Sequence, residues 1–306
     1  MKKPQIIFFT VWICLSQQLW ALDCADALKP LTKADQDQAI SLCKTAAKAG
    51  DLTAQRRLGI LYFFGQSVTK DEKQAAKWFR EAAAQGDARS QEMLGEMLLE
   101  GVGGVKKDPK QAFKWFRQAA LQGDRIAQSS LGDFYAKGQG VKKNLRDALN
   151  FYRLAAEQGD TVAQIKLADL LNQPNSTPAE LQEAVKWYLD AAEDGVAEAQ
   201  RKLAYLYLNG TGVDADFAQT IKWLRLAAKQ GDPGAQALLG IRYYEGEGVA
   251  QNPVRAFLWI HLAALNGDAG ANKTKTMLSE ILSAAEIEEA KRMADTCIDS
   301  HFKGCD

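Results

Sequence analysis

The chain has 306 residues, of which 47% are hydrophobic, and it carries 38 basic and 38 acidic residues. This composition supplies enough apolar side chains for a substantial buried core. Without a basic excess the chain has little attraction for a phosphate backbone, so we expect no nucleic acid among its partners.

The first residues, 1–21, are typical of a cleavable export signal. Two lysines follow Met1, residues 6–15 form a short apolar run, and a polar stretch leads to Ala21. A bilayer span needs about 20 apolar residues, so this run is too short for a comfortable crossing; a retained anchor is the alternative. We expect cleavage after Ala21, or alternatively near Ala27, and no stable membrane anchor afterwards. The mature chain is then periplasmic or secreted.

The rest of the chain repeats with a period of about 36 residues. Glycine recurs at Gly50, Gly86, Gly123, Gly159, Gly195, Gly231 and Gly267, and an aromatic residue at Trp78, Trp115, Phe151, Trp187, Trp223 and Trp259. A fixed period indicates stacked supersecondary units that bury their apolar faces against their neighbours. We expect an N-terminal cap at 22–51, capping helices at 269–306, and between them repeats 1 to 6 at 52–87, 88–124, 125–160, 161–196, 197–232 and 233–268.

Each repeat has the pattern of a helix hairpin. In repeat 6, Ala235, Leu239 and Tyr243 share one face of a first helix, and Ala256 and Trp259 share one face of a second helix. We expect the recurring aromatic residue to pack in the core rather than to bind a ligand. Small residues should let the two helices approach closely, at Gly59, Gly95, Gly132, Ala168, Ala204 and Gly240. A structural hydrogen bond within the stack is the expected role of Gln55, Gln91, Gln128, Gln164, Gln200 and Gln236.

The repeated residues resemble a known family. In repeat 3 the pattern is carried by Ala127, Gln128, Leu131, Gly132, Tyr135, Gly138, Gly140, Val141, Ala148, Ala155 and Gly159. This pattern is similar to the Sel-one-like repeat family, a relative of the tetratricopeptide repeat. It implies an all-α fold, a right-handed α/α solenoid of six helix hairpins, to which the cysteines near each end add disulfide-stapled terminal caps. Repeat 4 departs from the pattern, because residues 172–177 replace the glycine loop.

Four cysteines remain after the leader, two near each end of the repeats: Cys24, Cys43, Cys297 and Cys305. An even number in an exported chain favours disulfides. Of the three possible connectivities we favour Cys24–Cys43 with Cys297–Cys305, because pairing across the ends would require an elongated array to close on itself. Metal ligation is the weaker alternative, since the spacing matches no zinc site.

The resemblance also implies a binding face, because first helices line the concave side of tetratricopeptide arrays. Carried over to this chain, the non-repeating inward positions include Ile60, Phe63, Glu96, Asp133, Asp169, Tyr205, Ile241 and Tyr244. Three acids stack in the middle, and apolar or aromatic residues lie towards both ends. We expect a partner segment with a central Lys or Arg and apolar flanks; an ordinary solvated acidic face is the alternative.

No catalytic constellation, metal site or cofactor motif is evident. Two histidines, His261 and His301, leave little room for a nucleophile–base pair. We therefore expect a monomeric, non-enzymatic, exported interaction scaffold whose protein or peptide partner is unidentified. An immunity protein and an envelope or host-interaction factor are its specific versions. The alternative is a β-lactam-binding or β-lactamase-like enzyme, as in cysteine-rich relatives, although repeats 1 to 6 contain no cysteine.

Overall fold

The structure is a computed structural model that describes residues 33–300 together with 302 and 305. The predicted leader with its cleavage sites, Cys24 and His301 lie outside the described residues. Within them the chain forms fifteen helices and no strand, which confirms the predicted all-α class. None of these helices is both long and apolar enough to cross a membrane.

The helices follow one another in chain order. They are α1 (Lys33–Lys48), α2 (Leu52–Phe64), α3 (Glu72–Ala84), α4 (Ala88–Glu100), α5 (Pro109–Leu121), α6 (Arg125–Lys137), α7 (Leu145–Glu157), α8 (Thr161–Leu171), α9 (Pro178–Glu193), α10 (Ala197–Asn209), α11 (Phe217–Ala228), α12 (Pro233–Glu245), α13 (Pro253–Leu265), α14 (Ala271–Ile281) and α15 (Ala284–Asp299). Helices α2 to α13 supply one hairpin to each of repeats 1 to 6.

The chain divides into two compact units, an N-terminal unit up to Leu154 and a C-terminal unit from Ala155. In the N-terminal unit α1 packs on α2, and α2 to α6 pack successively. In the C-terminal unit α8 to α13 pack in the same successive way, and α13 contacts both α14 and α15. Packing between sequence neighbours is what a period of supersecondary units predicts.

Most first helices begin at an aspartate. The carboxylates of Asp51, Asp87, Asp124, Asp160 and Asp232 each accept a hydrogen bond from the backbone N–H three residues later. Such a cap satisfies an otherwise unpaired helix N–H and contributes about 1 kcal/mol. Repeat 5 is the exception, because Val196 precedes α10 and makes no side-chain cap. In repeat 4, where the glycine loop is lost, Thr177 and Glu180 form a capping box for α9.

The recurring aromatic residues pack in the core, as predicted. Trp259 is fully buried, and Trp78, Trp187 and Trp223 are at most 8% exposed. Trp115 and Phe151 are half-buried. Trp78 packs with residues of α1 and α2, and Trp115 packs against a core that includes residues of the preceding repeat.

Small residues let the two helices of a hairpin approach. A Cβ added at Gly132 would lie 2.3 Å from the ring of Tyr152, and one added at Gly240 would lie 2.7 Å from Ile260. Both contacts are closer than carbon atoms approach one another, which explains the glycines. The prediction about close packing is confirmed at these positions.

The repeated glutamines form the predicted structural hydrogen bonds. Each side-chain N–H donates to the backbone carbonyl eight residues earlier, at Ala47, Ala83, Ala120, Ala156, Ala192 and Ala228. All six glutamines are buried. Each therefore links the start of a first helix to the end of the helix before it.

The C-terminal cap contains the predicted disulfide between Cys297 and Cys305. At the other end Cys43 is fully buried and disulfide-bonded. Its predicted partner, Cys24, lies outside the described residues. A disulfide at the end of a repeat array opposes fraying and contributes about 2–4 kcal/mol.

Candidate functional site

The eight predicted binding residues lie on first helices, four in each unit. We call these residues the first-helix face. It comprises Ile60, Phe63, Glu96 and Asp133 in the N-terminal unit, and Asp169, Tyr205, Ile241 and Tyr244 in the C-terminal unit. None of the eight is buried. Solvent reaches them all, whereas it does not reach the repeated glutamines.

In the N-terminal unit, the two apolar residues of the first-helix face contact the hydrophobic core. Ile60 and Phe63 pack against the core of repeats 1 and 2, and the Phe63 ring lies 6.4 Å from that of Phe79. Glu96 is exposed, yet partial desolvation and the nearby Glu100 raise the pKa of its carboxyl above the usual value. This acid therefore gives up its charge more easily than a fully solvated one.

The next acid in the N-terminal unit, Asp133, has partners within its own repeat. It accepts a hydrogen bond of 2.5 Å from the Tyr152 hydroxyl, and the Lys137 Nζ lies 3.5 Å away. Burial, and then the bond to Asp133, raise the pKa of the Tyr152 hydroxyl above its usual value, so it remains a donor. The carboxylate of Asp133 thus has a structural role.

The same pairing recurs in the C-terminal unit. Asp169 accepts a hydrogen bond from the Tyr188 hydroxyl, and the Lys202 Nζ lies 2.5 Å and 2.7 Å from its two carboxylate oxygens. Lys202 also forms an ion pair of 3.0 Å with Glu198. The chain therefore already supplies a cation to Asp169, as the predicted partner was expected to do.

Sequence reasoning did not identify the tyrosine partners, although a signal was present. The residue after the recurring aromatic position is Tyr only in repeats 3 and 4, the repeats in which Asp occupies the first-helix face. Elsewhere this position holds Phe79, Phe116, Leu224 or Ile260. The Asp and Tyr residues change together from repeat to repeat because their side chains meet.

An apolar cavity of about 240 Å³ opens beside the end of the first-helix face in the C-terminal unit. Ile241 and Tyr244 of α12 line it together with Ile260, Met277 and Ile281. The side chains of Tyr244, Met277 and Ile281 are 43%, 59% and 58% exposed. Large apolar side chains gathered around a concave site favour the binding of an apolar group.

Sequence reasoning assigned Met277 and Ile281 only to the C-terminal cap. Their helix, α14, contacts α13, and this packing brings both residues to Ile241 and Tyr244. The hydrophobic pattern of α14 in the sequence is too weak a signal to indicate such a site. The cavity therefore extends the predicted face into the cap.

The described residues contain no cluster of three or more His, Cys, Asp or Glu side chains suited to a metal ion. His261 stacks on Phe257 with the ring centroids 6.0 Å apart. Burial, with Lys275 and Lys291 nearby, lowers the pKa of His261 below its usual value, so its imidazole is neutral at pH 7.

A sequence model described as the Sel1 repeat matches residues 28–51, 52–87, 88–124, 125–160, 161–196, 197–232 and 233–268. The chain belongs to the Sel1 repeat family. This confirms the resemblance, and the match at 28–51 adds a segment before the six predicted repeats. Members of the family act as protein–protein interaction scaffolds.

Solved structures agree with the family assignment. The chain is similar to a protective antigen present in uropathogenic Escherichia coli strains that displays an SLR fold, with a TM-score of 0.80 and 31% identity. The match covers 97% of this chain and 62% of that one. A Sel1 repeat protein from Oxalobacter formigenes matches with a TM-score of 0.65 and 31% identity, over 79% of this chain and 96% of that one.

A curated relative matches over a shorter stretch. The ERAD-associated E3 ubiquitin-protein ligase component HRD3A from Arabidopsis thaliana is 30% identical over 73 residues, which are 24% of this chain and 11% of HRD3A. The chain thus spans a small part of this relative and less than two thirds of the Escherichia coli antigen.

Proposed function

We propose that this Sel1 repeat protein is an exported, non-enzymatic scaffold that binds a partner protein through the first-helix face. Its principal contact is the apolar cavity of the C-terminal unit. The observation that carries the proposal is the grouping of Tyr244, Met277 and Ile281, three exposed side chains with large apolar surfaces, around one cavity. An apolar anchor placed there would remove their surfaces from water. This burial would stabilise the complex by about 25 cal/mol for each Å² of apolar surface.

The chemistry of the partner depends on which residues of the first-helix face already bond to groups of their own chain. Asp133 and Asp169 already bond to groups of their own chain, so a basic residue on the partner gains little from them. We therefore assign the partner one apolar or aromatic anchor residue for the cavity. Glu280, at the cavity lining, favours a neutral or basic residue beside that anchor.

The biological setting of this scaffold is part of the proposal. The N-terminal sequence supports export, and one similar structure is that of a protective antigen of uropathogenic strains. Both support a role in the cell envelope or at the host surface. An immunity protein is the other specific version, and the gene beside this one would distinguish the two if it encoded a secreted toxin.

The experiment is capture of the partner from envelope extract, with quantitative comparison of two matched variants. Ile281→Asp places a charge at the cavity, and Leu265→Asp places one outside it on α13; both native side chains are 58% exposed. We expect Ile281→Asp to lose a specific partner that Leu265→Asp retains, with both variants folded by circular dichroism. Equal retention by both variants would refute a role for the cavity.

The non-enzymatic part is tested separately with a chromogenic β-lactam. We expect no turnover above that of buffer. Turnover that persists through repeated purification would contradict this part of the proposal and leave the partner site to be judged by the capture experiment.

A further inference from the structure

A second concave site in the C-terminal unit lies beside the C-terminal ends of α7 and α9. This pocket has a volume of about 510 Å³ and is lined by Glu157, Gln164, Trp187, Asp190, Glu193 and Asp194. We call it the acidic pocket. Apart from Gln164 and the indole of Trp187, these side chains are carboxylates. They belong to second helices and the residues after them, so the acidic pocket is separate from the first-helix face.

A break in the regular hydrogen bonding of the glutamines occurs at this pocket. In repeats 1, 2, 5 and 6 the side-chain oxygen of the glutamine accepts an N–H from a glutamine or asparagine at the end of the same hairpin. These pairs are Gln55 with Gln85, Gln91 with Gln122, Gln200 with Gln230 and Gln236 with Asn266, at 2.7–2.9 Å.

In repeat 4 the position of that donor is occupied by Asp194. A carboxylate has no N–H to donate. Gln164 is 5% exposed, and its Oε1 has no hydrogen-bond partner among the described residues, while its Nε2 donates to the Ala156 carbonyl at 3.4 Å. A buried acceptor without a donor is unfavourable by about 1–3 kcal/mol. The acidic pocket therefore contains an acceptor that lacks its usual donor.

The charge of the acidic pocket also departs from the other repeats. The position of Glu193 is occupied elsewhere by Ala84, Leu121, Glu157, Lys229 and Leu265, and that of Asp190 by Glu81, Gln118, Leu154, Leu226 and Leu262. Repeat 4 alone has acids at both positions together with an acid at 194. Among the ion pairs formed by described residues, none involves Glu157, Asp190, Glu193 or Asp194.

The ligand must supply donors and positive charge, because the four carboxylates only accept hydrogen bonds and Gln164 Oε1 lacks a donor. The carboxylates are not grouped in the manner of a metal site within the described part of the chain. A guanidinium carries five N–H donors in a planar fork and can reach two acceptors at once, whereas an ammonium acts as a point charge. The indole of Trp187 also lines the pocket, and the Nζ of Lys186 already lies 5.5 Å from its ring centroid.

We propose that the acidic pocket binds an arginine side chain of a partner protein. The guanidinium donates to Gln164 Oε1 and to the carboxylates of Asp190, Glu193 or Asp194. It thereby takes the place of the N–H that a glutamine or asparagine supplies in repeats 1, 2, 5 and 6. This contact is independent of the apolar cavity, so either site can be lost without the other.

The test is a titration of the full chain followed by NMR of the Trp187 indole N–H and the Gln164 side-chain amide. The probe is N-acetylarginine amide, and its neutral analogue of nearly the same shape, N-acetylcitrulline amide, is the control. We expect saturable shifts of both signals with the arginine probe, weakening as salt is added, and no saturable shift with the citrulline probe. Equal responses to both probes would overturn the proposal.

Two variants locate the site. Asp194→Gln restores the missing donor to Gln164, and it should weaken arginine binding at least about tenfold while keeping the fold intact. The matched control Asp214→Asn neutralises an exposed acid outside the pocket and should bind as the parent does. Unchanged binding by Asp194→Gln, or shifts produced by Ca²⁺ but not by the arginine probe, would refute the assignment.

Discussion

Repeats 4 and 6 of the C-terminal unit are both helix hairpins, although their loops differ, and their side chains differ at a pair of facing positions. In repeat 4, Asp169 on the first helix bonds to Tyr188 on the second. In repeat 6 the same positions hold Ile241 and Ile260, and both line the apolar cavity. The side chains of a polar pair bond to each other within the hairpin, whereas those of an apolar pair leave apolar surface that a partner can cover. The fold therefore sets the positions, and the side-chain pair decides which repeat remains open for binding.

The largest expected effect concerns the core indoles of the two repeats. Trp259 of repeat 6 is fully buried, while Trp187 of repeat 4 is 8% exposed and borders the acidic pocket. We expect Trp259→Ala to lower the free energy of unfolding by about 3–5 kcal/mol, and Trp187→Ala by less, because solvent already reaches part of its site. Chemical denaturation followed by circular dichroism measures both. A larger loss at Trp187 would contradict the burial argument.

A charged position on the first helix links successive repeats. Arg56 bonds to Asp87 at 2.7 Å and Arg201 to Asp232 at 3.0 Å, and each of these aspartates caps the next first helix. Repeat 2 has Glu92 at this position, near Asp124. Burial raises the pKa of the Glu92 carboxyl to about 7; Arg89 opposes this shift, while Asp124 and Glu96 add to it.

The Glu92 carboxyl should make the stability of the protein depend on pH. Its pKa is higher in the folded chain than in the unfolded chain, so the folded state binds its proton more tightly. This contribution is present below about pH 4.5 and is lost as the pH rises towards 7, by at most about 3 kcal/mol.

Glu92→Gln should remove that dependence. The stability of the variant relative to the parent should therefore be higher at pH 8 than at pH 5. Denaturation midpoints at the two pH values measure the effect. Glu96→Gln, at an exposed carboxyl, is the control and should change the dependence less. A parallel pH profile for parent and Glu92→Gln would show that Glu92 does not titrate in this range.

The facing pair of repeat 6 can be replaced by the Asp–Tyr pair of repeat 4. Ile241→Asp should destabilise the protein by about 2 kcal/mol, because it places a carboxylate without a donor at a half-buried position. Adding Ile260→Tyr should recover about 1 kcal/mol through a bond like that of Asp169 with Tyr188.

Gly240 lies beside Ile260 as Gly132 lies beside Tyr152, which leaves space for the new ring. A double-mutant cycle with Ile260→Tyr alone separates the coupling energy from overpacking. Zero coupling would mean that the hydroxyl of the new tyrosine does not bond to the new carboxylate.

The smallest effect is expected from deleting a single hydroxyl. Tyr188→Phe removes the donor to Asp169 but leaves its contact with Lys202, so we expect a loss of about 1 kcal/mol. Phe already occupies the equivalent position as Phe116 in repeat 2, where Glu96 faces solvent. Thermal denaturation of the variant beside Tyr152→Phe measures both bonds; a gain in stability would contradict a structural role for these acids.

The sequence by itself determined the helix hairpins and their core. The 36-residue period, the capping aspartates and the Trp–Ala faces are local signals, and each is repeated often enough to separate it from chance. The repeated glutamines were predicted correctly for the same reason: a residue present in every repeat serves what every repeat shares, which is the stack.

Only the tertiary structure decided how the residues that differ between repeats are used. Asp133 and Tyr152 lie 19 positions apart, and Arg56 and Asp87 lie 31 apart, so their contacts depend on how helices pack. Packing likewise brought Met277 and Ile281 to the first-helix face and left Gln164 without its usual donor. Periodicity describes the average repeat, whereas binding depends on departures from it, and a departure has chemical meaning only once its neighbours in space are known.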